Sequence, residues 1–213
     1  MGDVYWGLHA PLAACAARLG IRSAIESGSF YGLGALQLAS LFSRVWSIER
    51  SQALHGHCQA HYSDIKNLTF LLGDSPDEIV RISNMLEEPI FFFLDAHWFP
   101  STALSDLVRS SDCPLLSELE AIHQSAALHR GSVIVIDDAD MFIGSLDPSQ
   151  FRVSDFPSIA VILSVLKEKM GAEYVDVFDD VIIAGPKSFV PLVENYLRLR
   201  ASCGAPSFKQ LRR

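Results

Sequence analysis

Short apolar runs that end in acidic residues recur along this chain, and they constrain its fold more than any other feature. The run 90–94 is apolar throughout and is followed by Asp95, and the run 132–136 is followed by Asp137 and Asp138. Runs of this kind predict strands that are buried on both faces, as in a parallel sheet. Helical patterns separate the runs, so the sequence predicts an alternating α/β fold.

The full pattern of strands and helices indicates a doubly wound sheet. Strands are predicted at 23–26, 44–49, 68–72, 90–94, 132–136, 174–178 and 181–184. Helices are predicted at 8–19, 35–42, 52–62, 77–85, 114–123 and 158–170. The last two strands are joined by Asp179 and Asp180, which predict a tight antiparallel hairpin. The fold class is therefore a Rossmann-like, mostly parallel α/β sheet with helices on both faces and a C-terminal hairpin.

Acidic residues lie at or just beyond the ends of most of these strands. Because right-handed crossovers bring the carboxyl ends of parallel strands to one edge of the sheet, the acids are expected to gather there. Ligands of doubly wound sheets bind at this edge. The acids in question are Glu26, Glu49, Asp74, Asp95, Asp137 and Asp138. The sequence therefore predicts a ligand site with an acidic lining.

A glycine-rich segment at 26–34 connects the first predicted strand to the following helix. Glycine permits a tight turn and a close approach of the backbone to a ligand, as in nucleotide-binding loops. A carboxylate before the first glycine would repel a pyrophosphate, but it suits a cationic ligand such as the amino group and sulfonium of S-adenosylmethionine. We therefore predict a nucleotide-cofactor site at Glu26, Ser27, Gly28, Ser29 and Gly32.

Two further acids are placed where a nucleotide cofactor would need them. Glu49 ends the second strand, about 20 residues beyond the glycine motif, where an acid accepts hydrogen bonds from ribose hydroxyls. Binding sites for S-adenosylmethionine and for nicotinamide cofactors both contain an acid at this position, so Glu49 does not distinguish between the two cofactors. Asp74, with Ser75 beside it, could accept from the adenine amino group or form a turn before Pro76. Both interpretations of Asp74 stay open.

Asp95, Asp137 and Asp138 form a candidate metal site. Carboxylates at the ends of adjacent strands repel one another unless a cation or protons intervene. Oxygen ligands suit Mg²⁺ or Ca²⁺, which could lower the pKa of a substrate hydroxyl. His97 follows Asp95 by two residues and is a candidate general base, with Asp95 as its catalytic partner. The alternatives are a structural histidine, and aspartates that cap the next segment.

Taken in order, these motifs resemble the Rossmann-fold S-adenosylmethionine-dependent methyltransferases, and more closely the macrocin-type and catechol-type O-methyltransferases. The resemblance covers about residues 20–186. It implies a seven-stranded sheet with one antiparallel strand, and methyl transfer to the hydroxyl of a small-molecule acceptor. It also assigns roles to individual residues: the methionine part of the cofactor to Glu26 and Gly28, the ribose to Glu49, the adenine to Asp74, and Mg²⁺ to Asp95, Asp137 and Asp138.

Alternative functions on the same topology are a nicotinamide-dependent oxidoreductase and a cofactor-binding protein without transfer activity.

The formal net charge of −8 disfavours a nucleic-acid partner. No apolar run approaches the roughly 18 residues of a membrane span. The cysteines Cys15, Cys58, Cys113 and Cys203 lie far apart, which favours reduced thiols and a cytoplasmic protein. We expect one domain over 1–213 with a basic C-terminal tail, and a homodimer is conceivable.

Overall fold

A seven-stranded sheet with helices on both faces forms the body of the protein in the computed structural model, which describes residues 9–98, 100, 111–125, 127, 130–144, 146–178 and 180–202. The strands are β1 Ser23–Ser27, β2 Arg44–Glu49, β3 Leu68–Leu72, β4 Ile90–Leu94, β5 Val133–Ile136, β6 Tyr174–Phe178 and β7 Val181–Gly185. The helices are α1 His9–Arg18, α2 Leu33–Leu41, α3 Gln52–Tyr62, α4 Ser75–Met85, α5 Leu115–Gln124, α6 Ile159–Ser164 and α7 Val190–Ser202.

The strand order is β3-β2-β1-β4-β5-β7-β6. Strands β1 to β5 pair in parallel, whereas β7 runs antiparallel to both of its neighbours, β5 and β6. The chain leaves β1 towards β2 on one side and later returns to β4 on the other, so the switch point lies between β1 and β4. The predicted fold class, including the C-terminal hairpin, is confirmed.

Alternating residues of the central strand β4 supply the two halves of the core. Phe92 packs into the apolar cluster on one face of the sheet, while Phe91 and Phe93 pack into the cluster on the other. All three are almost completely buried. Full burial of a phenylalanine side chain contributes about 1.5–3 kcal/mol, so the uninterrupted apolar run is what holds this strand at the centre.

The ends of three helices differ from the predictions for identifiable reasons. Helix α2 begins at Leu33, directly after Gly32, whose φ of 80° turns the chain into the helix. Helix α4 begins at Ser75 because Pro76, in its first turn, needs no hydrogen-bond partner for its nitrogen. Helix α6 continues beyond Ser164 as a π-helix over Val165–Lys169.

Helix α7 occupies part of the segment that was predicted to be a basic tail. Phe189, just before the helix, and Val193, inside it, are buried against the same cluster as α1. The Cys15 thiol of α1 also donates a hydrogen bond to the carbonyl oxygen of Leu192 at 3.6 Å. Charged residues interrupt the apolar pattern of this segment, which is why the helix was not predicted. Lys209, Arg212 and Arg213 lie outside the described residues.

Three cysteines of the described residues, Cys15, Cys58 and Cys113, are buried and free. This arrangement agrees with the prediction of reduced thiols. Among the helices that the structure describes, none combines the length and the apolar character that crossing a membrane requires. Residues 99 and 101–110, and Cys203 as well, lie outside the described residues.

Candidate active site

A cavity of about 690 Å³ opens at the carboxyl edge of the sheet. Its size falls within the range of about 300–1,000 Å³ that is usual for small-molecule sites. Residues that follow β1, β2, β3, β4 and β5 line it together. The predicted site residues among them are Gly28, Glu49, Asp74, Ser75, Asp95, His97 and Asp138. The strand topology therefore brings residues from distant parts of the sequence to one site, as predicted.

Gly28 lies at the switch point, where the glycine loop touches the end of β4. Its φ is 86°, and a Cβ atom at this position would lie 2.4 Å from the carbonyl oxygen of Asp95. The backbone N–H groups of Gly28 and Ser29 both donate to the carbonyl oxygen of Ile48, at 2.9 and 3.2 Å. Only glycine fits here, so the loop can follow the floor of the cavity closely.

Glu26 lies beneath the loop. The Ser47 hydroxyl donates to its Oε2 atom at 2.5 Å, and a Cβ atom on Gly34 would lie 2.2 Å from its Oε1 atom. Burial raises the pKa of Glu26 to about 8, against the opposing effect of the Ser47 hydrogen bond. The carboxyl group is therefore largely neutral near pH 7, and it braces the start of α2 from below.

Glu26 is not among the described residues that line the cavity, and the same is true of Ser27, Ser29 and Gly32. The Ser29 hydroxyl contacts the Ser47 hydroxyl at 2.5 Å instead. These residues shape the loop from its inner side. A direct contact between them and a cofactor stays a prediction.

Glu49 is held in a fixed orientation at the end of β2. Its Oε2 atom accepts from the backbone N–H of Phe30 at 2.9 Å, and its Oε1 atom accepts from the backbone N–H of Ser51 at 2.8 Å. The residue is buried yet lines the cavity. Because each carboxylate oxygen can accept more than one hydrogen bond, Glu49 retains the capacity to accept from a ligand.

Asp74 and Ser75 form the wall on the β3 side. The Asp74 Oδ1 atom pairs with Nε of Arg50 at 2.9 Å, and Arg50 also lines the cavity. The Ser75 hydroxyl donates to Oε1 of Glu118 at 2.5 Å. The arrangement places a paired carboxylate and a fixed serine at the mouth of the site.

Sequence reasoning missed Glu118, which lies in α5 directly below this wall. It is almost completely buried, and burial raises its pKa. The sequence pattern indicates the burial of Glu118, because this residue lies on the apolar face of the helix, three residues after Leu115 and four before Ile122. An acid on an apolar stripe needs a polar partner when buried, and Ser75 supplies one.

His97 lies between Asp95 and Asp138. Its Nε2 atom is 3.0 Å from Oδ2 of Asp138 and 3.3 Å from Oδ1 of Asp95, and its Nδ1 atom is 3.2 Å from the carbonyl oxygen of Trp98. Burial by itself would lower the pKa of His97. The hydrogen bonds and charges of the two carboxylates outweigh burial and hold the pKa well above its ordinary value. The two acids therefore favour the positively charged form of His97.

Asp137 does not join this group. The ligand atoms of Asp95, His97 and Asp138 lie within 4.8 Å of one another, and this set does not include Asp137. Asp137 donates its backbone N–H to the carbonyl oxygen of Leu94 at 3.1 Å and lines a small neighbouring pocket, which His97 also lines. Both aspartates follow the end of β5, and the φ of 51° at Asp138 turns the chain there; of the two, Asp138 lines the cavity. The structure does not bring the three predicted aspartates together, and a metal-binding role for Asp137 stays a prediction.

Comparisons with known proteins support the fold. No protein-family model matches the chain, and no curated protein sequence matches it significantly. Solved structures similar to it include an O-methyltransferase from Bacillus cereus in complex with SAH (S-adenosylhomocysteine), with 21% sequence identity, a TM-score of 0.58, and coverage of 87% of this chain and 83% of that chain.

Two other solved structures are similar at lower identity. The O-methyltransferase TomG from Streptomyces achromogenes, involved in tomaymycin synthesis and solved with SAM (S-adenosylmethionine), has 16% identity, a TM-score of 0.55, and coverage of 87% and 82% of the two chains. An rRNA methylase from Streptococcus thermophilus has 14% identity, a TM-score of 0.50, and coverage of 87% and 99%. At such identities the likeness shows a shared fold.

Proposed function

We propose that this protein is an S-adenosylmethionine-dependent methyltransferase that acts on a hydroxyl group of a small molecule. The observation that carries the proposal is the meeting of Gly28, Glu49 and Asp74 in one cavity, in the order that the resemblance to O-methyltransferases implies. The solved structures of similar fold that hold SAM or SAH support it further.

The residues present fit this cofactor. Glu49 is fixed by two backbone N–H groups and can accept from ribose hydroxyls, and Asp74 can accept from the adenine amino group. Gly28 allows the methionine part to approach the backbone closely. The acidic lining favours a cationic ligand over a pyrophosphate, which argues against a nicotinamide dinucleotide. When bound, S-adenosylmethionine supplies an electrophilic methyl group.

The chain's own contribution is mainly to bring the acceptor oxygen and the methyl group together in line. In this proposal the end of the cavity at Asp95, His97 and Asp138 receives the acceptor hydroxyl. Two carboxylates lie within hydrogen-bonding distance of His97 and favour its protonated form, and only the neutral form can act as a base. A metal ion held by the same three side chains would lower the pKa of the acceptor hydroxyl.

A small-molecule acceptor fits the charge of the protein better than RNA does. Although one similar solved structure is an rRNA methylase, binding to RNA relies on basic residues that neutralise phosphates. This chain has a formal net charge of −8, and acids line the cavity itself. We therefore infer that the acceptor is a small hydroxylated molecule.

Isothermal titration calorimetry of the purified chain with SAM, SAH and NADH tests the proposal. We expect SAM and SAH to bind with one site per chain and NADH not to bind. Glu49→Ala should weaken SAH binding by at least about tenfold, equivalent to about 1.4 kcal/mol. Glu120→Ala, which removes an exposed acid of α5, is the matched control and should leave the affinity unchanged.

A folded protein that binds neither SAM nor SAH would refute the proposal. Binding of SAH without methyl transfer to any member of a panel of phenols, catechols and sugars would instead favour a cofactor-binding protein without transfer activity. Circular dichroism and thermal unfolding of both variants establish that a loss of affinity does not reflect unfolding, since Glu49 also holds the glycine loop.

A further inference from the structure

We propose that Asp95, His97 and Asp138 form a mixed nitrogen–oxygen metal site, with His97 in place of Asp137 as the third ligand, and that the site takes Mn²⁺ or another first-row transition ion in preference to Mg²⁺. The inference deepens the proposed function, on which its catalytic meaning rests. Metal binding by the chain can nevertheless be measured without the cofactor.

The geometry of the three side chains is that of a ligand set. One nitrogen and two carboxylate oxygens lie within 4.8 Å of one another, so a single ion can be reached by all three. They come from the ends of β4 and β5, two neighbouring strands of the rigid centre of the sheet. An ion at this position needs no rearrangement of the backbone, because the strand ends already hold the ligands in place.

His97 is oriented as a histidine ligand would be. A carbonyl oxygen can only accept a hydrogen bond, so the contact between Nδ1 and the carbonyl of Trp98 assigns a hydrogen to Nδ1. That leaves Nε2 to face the two carboxylates. Histidines that bind metals commonly donate their other ring N–H to a backbone carbonyl, which fixes the ring orientation. The His97 side chain is only 9% exposed, so the surrounding residues restrict the rotation of its ring.

The donor set selects the class of ion. Imidazole nitrogen suits first-row transition ions and carboxylate oxygens suit Mn²⁺, so one nitrogen and two carboxylates fit Mn²⁺, whereas Mg²⁺ prefers oxygen ligands and keeps several waters. The carboxylate side chains of Asp95 and Asp138 are 33% and 22% exposed, so they are accessible from the cavity. Three protein ligands leave further coordination positions for water or for the oxygen of an acceptor. Such open positions are typical of a catalytic metal site and not of a structural one.

Asp137 provides a control that differs from Asp138 by one position in the chain. The Asp137 backbone is hydrogen-bonded to Leu94, and its side chain is not in the set of ligand atoms that lie within 4.8 Å of one another; it lines a small neighbouring pocket that His97 also lines. An Mg²⁺ site built from three aspartates requires Asp137, whereas the mixed site does not. The two arrangements therefore predict opposite results for the same pair of substitutions.

The test uses the full chain, stripped of metal with a chelator, and titrations with Mn²⁺ and with Mg²⁺. We expect one Mn²⁺ per chain, bound at least about tenfold more tightly than Mg²⁺. His97→Ala should weaken Mn²⁺ binding by at least about tenfold and remove most of the preference over Mg²⁺. Asp137→Asn should change the Mn²⁺ affinity by no more than about threefold, since it is not a ligand.

Pulsed electron paramagnetic resonance gives a second and independent measurement. Mn²⁺ bound to the wild-type protein should show coupling to a ligand nitrogen, and Asp137→Asn should retain it. The signal should be absent from His97→Ala. Because the wild-type spectrum alone reports nitrogen ligation, the test stands even where a variant does not fold.

Three results would overturn the inference: equal affinity of the wild-type protein for the two ions, loss of Mn²⁺ binding in Asp137→Asn but not in His97→Ala, or no binding of either ion. Titration of the same samples with SAH separates this failure from that of the proposed function. SAH binding without metal binding refutes only the metal site. Mn²⁺ binding without SAH binding refutes only the methyltransferase.

Discussion

The buried carboxyl group of Glu26 should make the stability of this protein depend on pH, and Glu26→Gln should remove that dependence. Glutamine has nearly the same shape and can still accept the hydrogen bond from the Ser47 hydroxyl. The essential difference is that glutamine cannot ionise. A comparison of the two proteins therefore isolates the free energy of placing one negative charge beneath the glycine loop.

The magnitude follows from the two pKa values. The ordinary pKa of Glu26 is 4.5, and burial raises it to about 8 in the folded protein. The folded state thus holds the proton more tightly than the unfolded state, so this contribution to stability is complete below about pH 4.5 and is lost as the pH rises to about 8. The total loss is roughly 5 kcal/mol, of which roughly 2–3 kcal/mol falls between about pH 5 and about pH 7.

Urea unfolding of both proteins at several pH values measures this quantity directly. Other ionisable groups are common to both, so they cancel in the difference between the two free energies of unfolding. We expect Glu26→Gln to gain roughly 2–3 kcal/mol relative to the wild type between about pH 5 and about pH 7. Asp64→Asn, which changes an exposed carboxyl, controls for the loss of one negative charge. A difference that stays constant over this range would refute the reasoning.

Two further predictions concern the backbone of the site and the core. Gly28→Ala should destabilise the protein by more than about 2 kcal/mol and abolish SAH binding, because its Cβ atom would collide with the carbonyl oxygen of Asp95. Gly20→Ala has a similar positive φ but open space around the Cβ atom, so thermal unfolding should show a loss of only about 1 kcal/mol. Phe92→Ala should cost about 3–5 kcal/mol in chemical unfolding, since the ring is completely buried in β4; a cost below about 1 kcal/mol would contradict this packing.

The strands, and the acidic residues at their ends, could be predicted because both are recognised from short stretches of the sequence. The apolar run of β4 predicts a buried strand by itself, and the rule for parallel crossovers then places Asp95 at the same edge as Glu49. Neither inference needs knowledge of side-chain contacts. This is why the position of the cavity was predicted well.

The composition of the metal site could not be predicted in the same way. Asp137 and Asp138 are adjacent and chemically identical, and only the direction in which the chain leaves β5 decides which one faces the cavity. Asp138 has a φ of 51°, an uncommon backbone conformation that no sequence pattern specifies. The partner of Glu118 is likewise fixed by the packing of α4 against α5, which brings together residues that are far apart in the chain.

The position of β7 makes the site dependent on a segment that follows Asp138 by about 40 residues in the sequence. This strand is inserted between β5 and β6, and Asp180 at its start accepts hydrogen bonds from the backbone N–H groups of Ala139 and Asp140, next to Asp138. Until β7 leaves the ribosome, β5 has an open edge, which is prone to pairing with other chains. The turn that orients Asp138 also lacks its anchor until then. A chain that lacks Asp180 and β7 therefore contains Asp95, His97 and Asp138 but not the contacts that hold the turn next to Asp138.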